Sequence, residues 1–207
     1  MKYTLFMLCL LSVFLLFGQK YEERIINNPS IKTIIIEDDK IFKIDIKTST
    51  SKSIKLVSKI EGEYSKNTKV ISQINNHTLS ITCNYPELTN KMDDKLNAHK
   101  VHSIELILEI PQHLNLYISS EIASAKIKGT YNYLLLELNQ GNARLNHFLG
   151  NATINTINGN VNIETKNVTI NALTKTGKIK REPMMEGKNV INVQSINGNI
   201  NISKTKK

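Results

Sequence analysis

Apolar and polar positions repeat every nine residues between Asn139 and Lys180. Counted from each glycine, the units read GNARLNHFL, GNATINTIN, GNVNIETKN, VTINALTKT and GKIKREPMM, with Val168 in the place of one glycine. The third and fifth positions of a unit are apolar with few exceptions, whereas most positions between them are polar. Because side chains two residues apart lie on one face of a strand, each unit predicts a short β-strand with a narrow inward face.

Glycine and asparagine separate these strands. Glycine, and to a lesser degree asparagine, tolerates positive φ and therefore suits turns. The segment 196–202 (INGNINI) nearly copies the segment 157–163 (INGNVNI), so the pattern resumes near the C-terminus. The predicted structural positions of the repeat are Gly141, Gly150, Gly159, Gly177, Gly198, Asn158 and Asn197.

Two arrangements fit this repeat. Asn158-Gly159 and Asn197-Gly198 are signals for type I′ turns, which would make the segment an antiparallel meander. In a parallel solenoid, two nine-residue units form one coil and equivalent residues stack in columns. The constant phase of the apolar positions favours the solenoid. The predicted fold is all-β: a short right-handed parallel β-solenoid after an N-terminal strand region, with the antiparallel β-meander as the alternative.

The chain before the repeat also reads as β-structure. A hairpin is predicted around Asn75-Asn76, and Pro111 ends an apolar strand because proline cannot donate a ladder hydrogen bond. Residues 86–99 are predicted to be a loop with one helical turn near 93–98, and residues 181–188 a second loop. The predicted strands lie at 31–36, 41–46, 54–60, 69–74, 79–83, 104–110 and 114–118.

Residues 1–18 have the features of a secretory signal peptide: Lys2, the apolar run 5–17 and the small residue Gly18. Residues 19–120 form the predicted N-terminal strand region and residues 121–207 the predicted repeat region, and the two are expected to be continuous as one domain. After cleavage no integral membrane span is expected. The predicted location is therefore outside the cytoplasm, in the periplasm or at the cell surface.

The basic net charge of the chain favours partners that carry negative charge. The chain of 207 residues has a net charge of +9, and residues 121–207 hold 12 Lys and Arg against 5 Glu. A basic surface attracts anionic partners, although exposed lysines also prevent sheet edges from pairing. The predicted partner is an envelope protein or an anionic glycan, without nucleic acid, and the oligomeric state is left open.

The residues predict no catalytic group, cofactor or metal site. A calcium-binding nonapeptide repeat needs an aspartate in each unit, and no aspartate follows Asp94. His99 and His102 lack a third ligand for zinc. Cys9 lies in the leader, and Cys83 is predicted to be a small buried side chain rather than a nucleophile. The acidic residues of the repeat form no paired catalytic motif: Glu121, Glu137, Glu164, Glu182 and Glu186.

Three features together resemble a known family. They are the strand that closes in proline (103–111), the alternating strand 114–118 and the Asn-Gly-Asn repeat at 156–163. They resemble the bacterial "putative adhesin" domain family of exported β-solenoid proteins, and the segments 16–19 and 94–101 resemble members from the Bacteroidetes. The family often has Gly-Asp where this chain has Gly-Asn.

The resemblance implies a non-enzymatic cell-envelope protein, an adhesin-like structural or binding module. A carbohydrate-binding accessory protein that recognises anionic glycans is the alternative. A third interpretation is an envelope-stress or regulatory partner.

Overall fold

A computed structural model describes residues 19–62, 65–85 and 102–206. Within these residues the protein is all-β, without a helix, and its fifteen strands lie in one mixed sheet. The strands are β1 (Lys20–Ile26), β2 (Thr33–Glu37), β3 (Ile41–Ser49), β4 (Ile54–Gly62), β5 (Lys69–Asn75), β6 (Thr78–Asn84), β7 (His102–Pro111), β8 (Asn115–Ser120), β9 (Ser124–Leu138), β10 (Ala143–Thr156), β11 (Val161–Thr165), β12 (Val168–Thr174), β13 (Ile179–Arg181), β14 (Asn189–Ser195) and β15 (Ile200–Lys204).

The strands pair along two ladders that share β9 and β10. One ladder runs β1-β4-β7-β3-β9-β10-β11-β15-β13, and the other runs β5-β6-β2-β8-β9-β10-β14-β12. The first part of β9 pairs with β3 and its last part with β8. Gly129 (φ 114°), His147 (φ 48°) and Gly150 (φ 140°) interrupt these long strands. Positive φ at these residues lets each strand leave one ladder and enter the other.

The units from β8 to β11 pair in parallel at a constant offset. Ala143 lies beside Ala125 on one side and Val161 on the other, so neighbouring rows differ by eighteen residues, or two units. All pairs among β8–β15 in the described residues are parallel. The alternative of an antiparallel meander is therefore wrong, and so are the type I′ turns. Neither Asn158 nor Gly159 has a positive φ.

The order of strands in space departs from their order along the chain at both ends. β14 lies between β10 and β12, and β15 lies between β11 and β13. As a result Val161 is beside Ile200 rather than Ile179. At the other end β2 lies between β6 and β8, and β3 lies between β7 and β9. Thus β2 and β3, at the start of the parallel region, and β14 and β15, at its end, each lie between two other strands.

The inward positions form continuous apolar rows across the strands. Ile36, Ile118, Leu136, Ile154 and Val193 occupy one row and are essentially fully buried. Each such side chain removed from water stabilises the fold by about 1.5–3 kcal/mol. The bends of the two long strands are filled differently, by the stacked rings of two buried aromatic residues, Tyr131 and Phe148, at 5.5 Å.

Antiparallel pairing occurs where the N-terminal strands end the two ladders. β1 pairs with β4 and β4 with β7, both antiparallel. The predicted hairpin is confirmed: β5 and β6 pair with Asn75 opposite Thr78. The two turn residues, Asn76 and His77, have φ of 44° and 66°, the backbone that a type I′ turn requires.

A row of glycines follows the ends of the strands in the second ladder. A Cβ added at Gly159 would overlap the carbonyl oxygen of Gly141, and one at Gly198 would overlap that of Gly159. A Cβ at Gly177 would in turn overlap the oxygen of Gly198. The backbones of these three residues are not left-handed, so glycine is required for the close approach of neighbouring turns.

The sequence-predicted loop at 181–188 is confirmed from residue 182 onward, since β13 ends at Arg181 and β14 begins at Asn189. The predicted leader 1–18 and the predicted helical turn near 93–98 lie outside the described residues, as does His99. His102 begins β7.

We predict that Gly159→Ala lowers the free energy of unfolding by about 1–3 kcal/mol, because the new methyl group must push two neighbouring turns apart. Chemical denaturation followed by circular dichroism measures the change. The matched control is Gln140→Ala at an exposed position of the adjacent turn, where we expect less than about 0.5 kcal/mol. Equal stability of the two variants would contradict the steric account.

Candidate functional site

The predicted repeat positions serve the stacking of the turns. Gly141, Gly159, Gly198 and Gly177 lie in one row, in that spatial order. Gly150 lies elsewhere, against the carbonyl oxygen of Tyr131. The Nδ2 of Asn197 donates to the Oδ1 of Asn158 at 2.7 Å, which links two neighbouring turns. In these contacts the predicted positions pack against, or form hydrogen bonds with, other turns of the same chain.

A second asparagine row has a role that the sequence reading missed. The backbone N–H of Asn160 donates to Oδ1 of Asn142 at 2.9 Å, and that of Asn199 to Oδ1 of Asn160 at 2.9 Å. The N–H of Lys178 then donates to Oδ1 of Asn199 at 2.8 Å. These side chains continue the hydrogen-bond ladder across the turn. The signal was the asparagine that follows Gly141, Gly159 and Gly198 directly, which was attributed only to turn conformation.

A concave surface, here named the corner groove, runs across the strand ends of the second ladder. Its volume is about 800 Å³. Equivalent positions of β8, β9, β10, β14 and β12 line it, so it crosses the strands instead of following one of them. Its lining residues are Asp39, Ser119, Ser120, Glu121, Glu137, Leu138, Asn139, Asn155, Thr156, Ile157, Leu173, Thr174, Lys175, Gln194, Ser195 and Ile196.

Three carboxylates occupy one end of the corner groove. Glu121 accepts a hydrogen bond from Nδ2 of Asn139 at 2.6 Å, and Asp39 accepts one from the backbone N–H of Glu121 at 3.2 Å. Glu137 accepts a longer bond from Nδ2 of Asn155, at 3.4 Å. None of the three carboxylates forms an ion pair with a cation of the described residues. This end of the groove is therefore acidic in a basic protein.

Several acidic residues elsewhere on the surface form ion pairs. Glu105 lies 2.6 Å from Nζ of Lys43 and 3.7 Å from Nζ of Lys59. The hydrogen bond from Lys43 holds the pKa of the Glu105 carboxyl below its usual range. The three carboxylates of the corner groove have no such cation beside them among the described residues.

The other end of the corner groove is apolar and then basic. Ile157, Ile196 and Leu173 are 38%, 44% and 64% exposed. Lys175 follows them and has no acidic partner among the residues that the structure describes. The groove thus passes from negative through apolar to positive along its length.

The remaining chemistry of the described residues is structural in character. The carboxylate of Asp38 accepts hydrogen bonds from the N–H of Cys83 and from the hydroxyl of Tyr85, each at 2.8 Å. Burial, together with the Asp38 charge, raises the pKa of the Cys83 thiol to about 12. Nζ of Lys40 lies 3.8 Å from the centre of the Tyr85 ring. This cluster holds the end of β6 against the turn after β2.

Residues 19–62, 65–85 and 102–206 contain neither a metal-binding cluster nor a membrane-spanning helix. No three side chains among His, Cys, Asp and Glu lie together in a way that could hold a metal ion. No helix there is long and apolar enough to span a membrane.

Comparison with solved structures gives a match over nearly the whole chain. The protein is 14% identical to a putative cell adhesion protein from Clostridium sporogenes, with 91% of this chain and 100% of that chain covered and a TM-score of 0.62. The two proteins share a fold. The similarity to bacterial adhesin-type proteins that the sequence indicates is thus confirmed at the level of the fold.

Two further solved structures are more distant in shape. A putative adhesin from Bacteroides fragilis is 13% identical, over 90% of this chain and 98% of that chain, with a TM-score of 0.37. A putative lipid binding protein from Parabacteroides distasonis is 14% identical, over 91% and 97%, with a TM-score of 0.28. No family model and no curated protein sequence matches the chain.

We predict that Cys83 in the folded protein reacts with a thiol reagent such as DTNB at pH 8 far more slowly than an exposed cysteine. With a pKa of about 12, only about 10⁻⁴ of the thiol is ionised at that pH. The experiment uses a Cys9→Ser background, with Lys52→Cys as the exposed control and guanidinium-unfolded protein as the end point. Fast labelling of folded Cys83 would contradict the burial of its thiol.

Proposed function

We propose that the protein is a non-enzymatic, adhesin-like binding module of the cell envelope. The observation that carries this proposal is the corner groove, a concave surface to which several strands contribute equivalent positions. Such a surface contacts a long ligand at several points, and each point adds to the affinity. The fold shared with a putative cell adhesion protein supports the same class of function.

We also infer a more specific architecture, a right-handed parallel β-solenoid with eighteen residues in each coil. The parallel register supports it, since Leu134 pairs with Ala152 and Ala143 with Val161 at the same offset. In a solenoid each coil buries its apolar face only against neighbours. The surface then repeats at the strand spacing of about 4.8 Å, which provides a regular set of contacts.

An anionic glycan is the second candidate ligand, bound to the flat face of the first ladder. Lys126 and Arg144 are register neighbours there, and both side chains are exposed. Lys126 has one carboxylate nearby, Asp45 at 3.6 Å. Arg144 makes no ion pair among the described residues. A face of this kind attracts sulfated or acidic sugars through charge, so its binding would weaken as salt rises.

The binding role is tested by capture from detergent-solubilised envelope fractions with immobilised mature protein, followed by mass spectrometry. We expect a protein partner that remains bound at 0.5 M salt and is absent from a column of the chemically denatured protein. Glycan-array binding that disappears at the same salt and in Lys126→Glu/Arg144→Glu would favour the second candidate. Enrichment no greater than on bare resin, together with an empty array, would contradict both.

Export is tested separately, by expression of the full chain in a bacterial host and N-terminal sequencing of the product. We expect residues 1–18 to be removed and the protein to be outside the cytoplasm, because Lys2 and the apolar run 5–17 meet the requirements of a secretory signal. A mature protein that still begins at Met1 would contradict this prediction.

A further inference from the structure

We propose that the corner groove binds an extended peptide segment that carries basic residues at one end and apolar residues in its middle. This inference rests on the proposed binding function and names the ligand of its principal surface. Three independent properties of the groove support it: its length, its exposed apolar side chains and its unpaired charges of opposite sign.

The length of the groove suits a short peptide. From Asp39, which follows β2, to Lys175, which follows β12, the groove passes six neighbouring strands. At about 4.8 Å between strands it is about 24 Å long, and an extended chain at about 3.3 Å per residue places about seven residues along it. The peptide would lie across the strands. Its side chains, and not backbone pairing at a sheet edge, would then determine recognition.

The middle of the groove provides the apolar contact. Ile157 and Ile196 occupy equivalent positions of neighbouring turns, and Leu173 lies in the next strand. All three are substantially exposed, whereas the inward rows beneath them are fully buried. No aromatic side chain lines the groove. Glycans usually need an aromatic face for stacking, so aliphatic side chains of a peptide are the better complement.

The charged side chains at the two ends of the groove determine the direction in which the peptide would bind. Asp39, Glu121 and Glu137 lie at one end without a cationic partner, and Lys175 lies at the other without an acidic one, in the part of the chain that the structure describes. The net charge of +9 would repel a basic ligand at long range. Salt screens charges more than about 8 Å away at physiological ionic strength, so the local carboxylates dominate at contact. Arg or Lys over these carboxylates would neutralise them.

The test uses three seven-residue probes with blocked termini and a fluorescent label on a C-terminal linker. The first is Arg-Lys-Ser-Leu-Ser-Leu-Ser, the second replaces both leucines by serine, and the third begins with Glu-Glu. We expect the first probe to bind saturably below about 1 mM. We expect the other two to bind at least about fivefold more weakly, since each lacks one of the complementary features.

Matched variants locate the binding. Ile157→Ser/Ile196→Ser should weaken the first probe at least about fivefold, whereas Ile25→Ser, at an exposed isoleucine of β1, should leave it unchanged. Glu121→Lys/Glu137→Lys should reverse the preference, so that the Glu-Glu probe binds better. All these side chains are exposed, and thermal unfolding of each variant confirms that it is folded.

Three outcomes would overturn the inference. They are absence of saturable binding by the first probe, binding that is unaffected by Ile157→Ser/Ile196→Ser, and stronger binding of a β-1,4-linked glucose hexamer that the same variant abolishes. The last result would make the groove a glycan site. If the probes fail but envelope capture persists in Ile157→Ser/Ile196→Ser, the binding function stands and only the groove assignment is wrong.

Discussion

The close approach of successive turns is the constraint on which this structure depends. At Gly141, Gly159, Gly198 and Gly177 each backbone comes so near the carbonyl oxygen of its neighbour that a Cβ would not fit. This approach brings the N–H of Asn160 and Asn199 within hydrogen-bond distance of the preceding asparagine side chain. The turns are therefore as regularly paired as the strands. The inward apolar side chains stack in the same register as the turns. Short strands of five to seven residues can therefore share one core.

The insertion of strands at the C-terminal end is compatible with the same pairing of turns. Because equivalent units have nearly identical turns, the strand pair β14–β15 fits between β10–β11 and β12–β13 as well as it would fit at the end. The outermost strands β12 and β13 have free edges in the described residues. Lys178, Lys180 and Arg181 lie in or beside β13, and charges of this kind oppose pairing with another chain. Insertion also ties the C-terminal segment into the interior of the sheet.

The strands of the repeat could be predicted because the nine-residue period shows which side chains face inward. The direction of a side chain depends only on its neighbours in sequence. Ala143, Leu145, Ala152 and Ile154 were assigned inward and are buried. Stacking order is not local, since Val161 can pair equally well with Ile179 or Ile200, and only the three-dimensional arrangement selects Ile200. The type I′ prediction at Asn158-Gly159 was wrong for a related reason. Asn-Gly also suits a turn whose neighbours lie above and below it, where small size matters instead of positive φ.

The corner groove could not have been predicted, because its residues come from five strands and from the turns after six, and only the strand register brings them together. Glu121 and Glu137 are sixteen residues apart in the sequence, where they form no paired motif. Their position beside Ile157 and Ile196, without a cationic partner in the described residues, is a consequence of stacking. The groove and the glycine row therefore depend on the same strand order.

The order of the strands β11, β15 and β13 is measured directly by cysteine cross-linking. In a Cys9→Ser background, Asn162→Cys with Asn201→Cys places two thiols on register partners whose side chains are joined by a hydrogen bond of 3.0 Å. Asn162→Cys with Lys180→Cys places them two strands apart, at about 10 Å. The account predicts rapid oxidative cross-linking of the first pair and none of the second. Efficient cross-linking of the second pair, with none of the first, would contradict it.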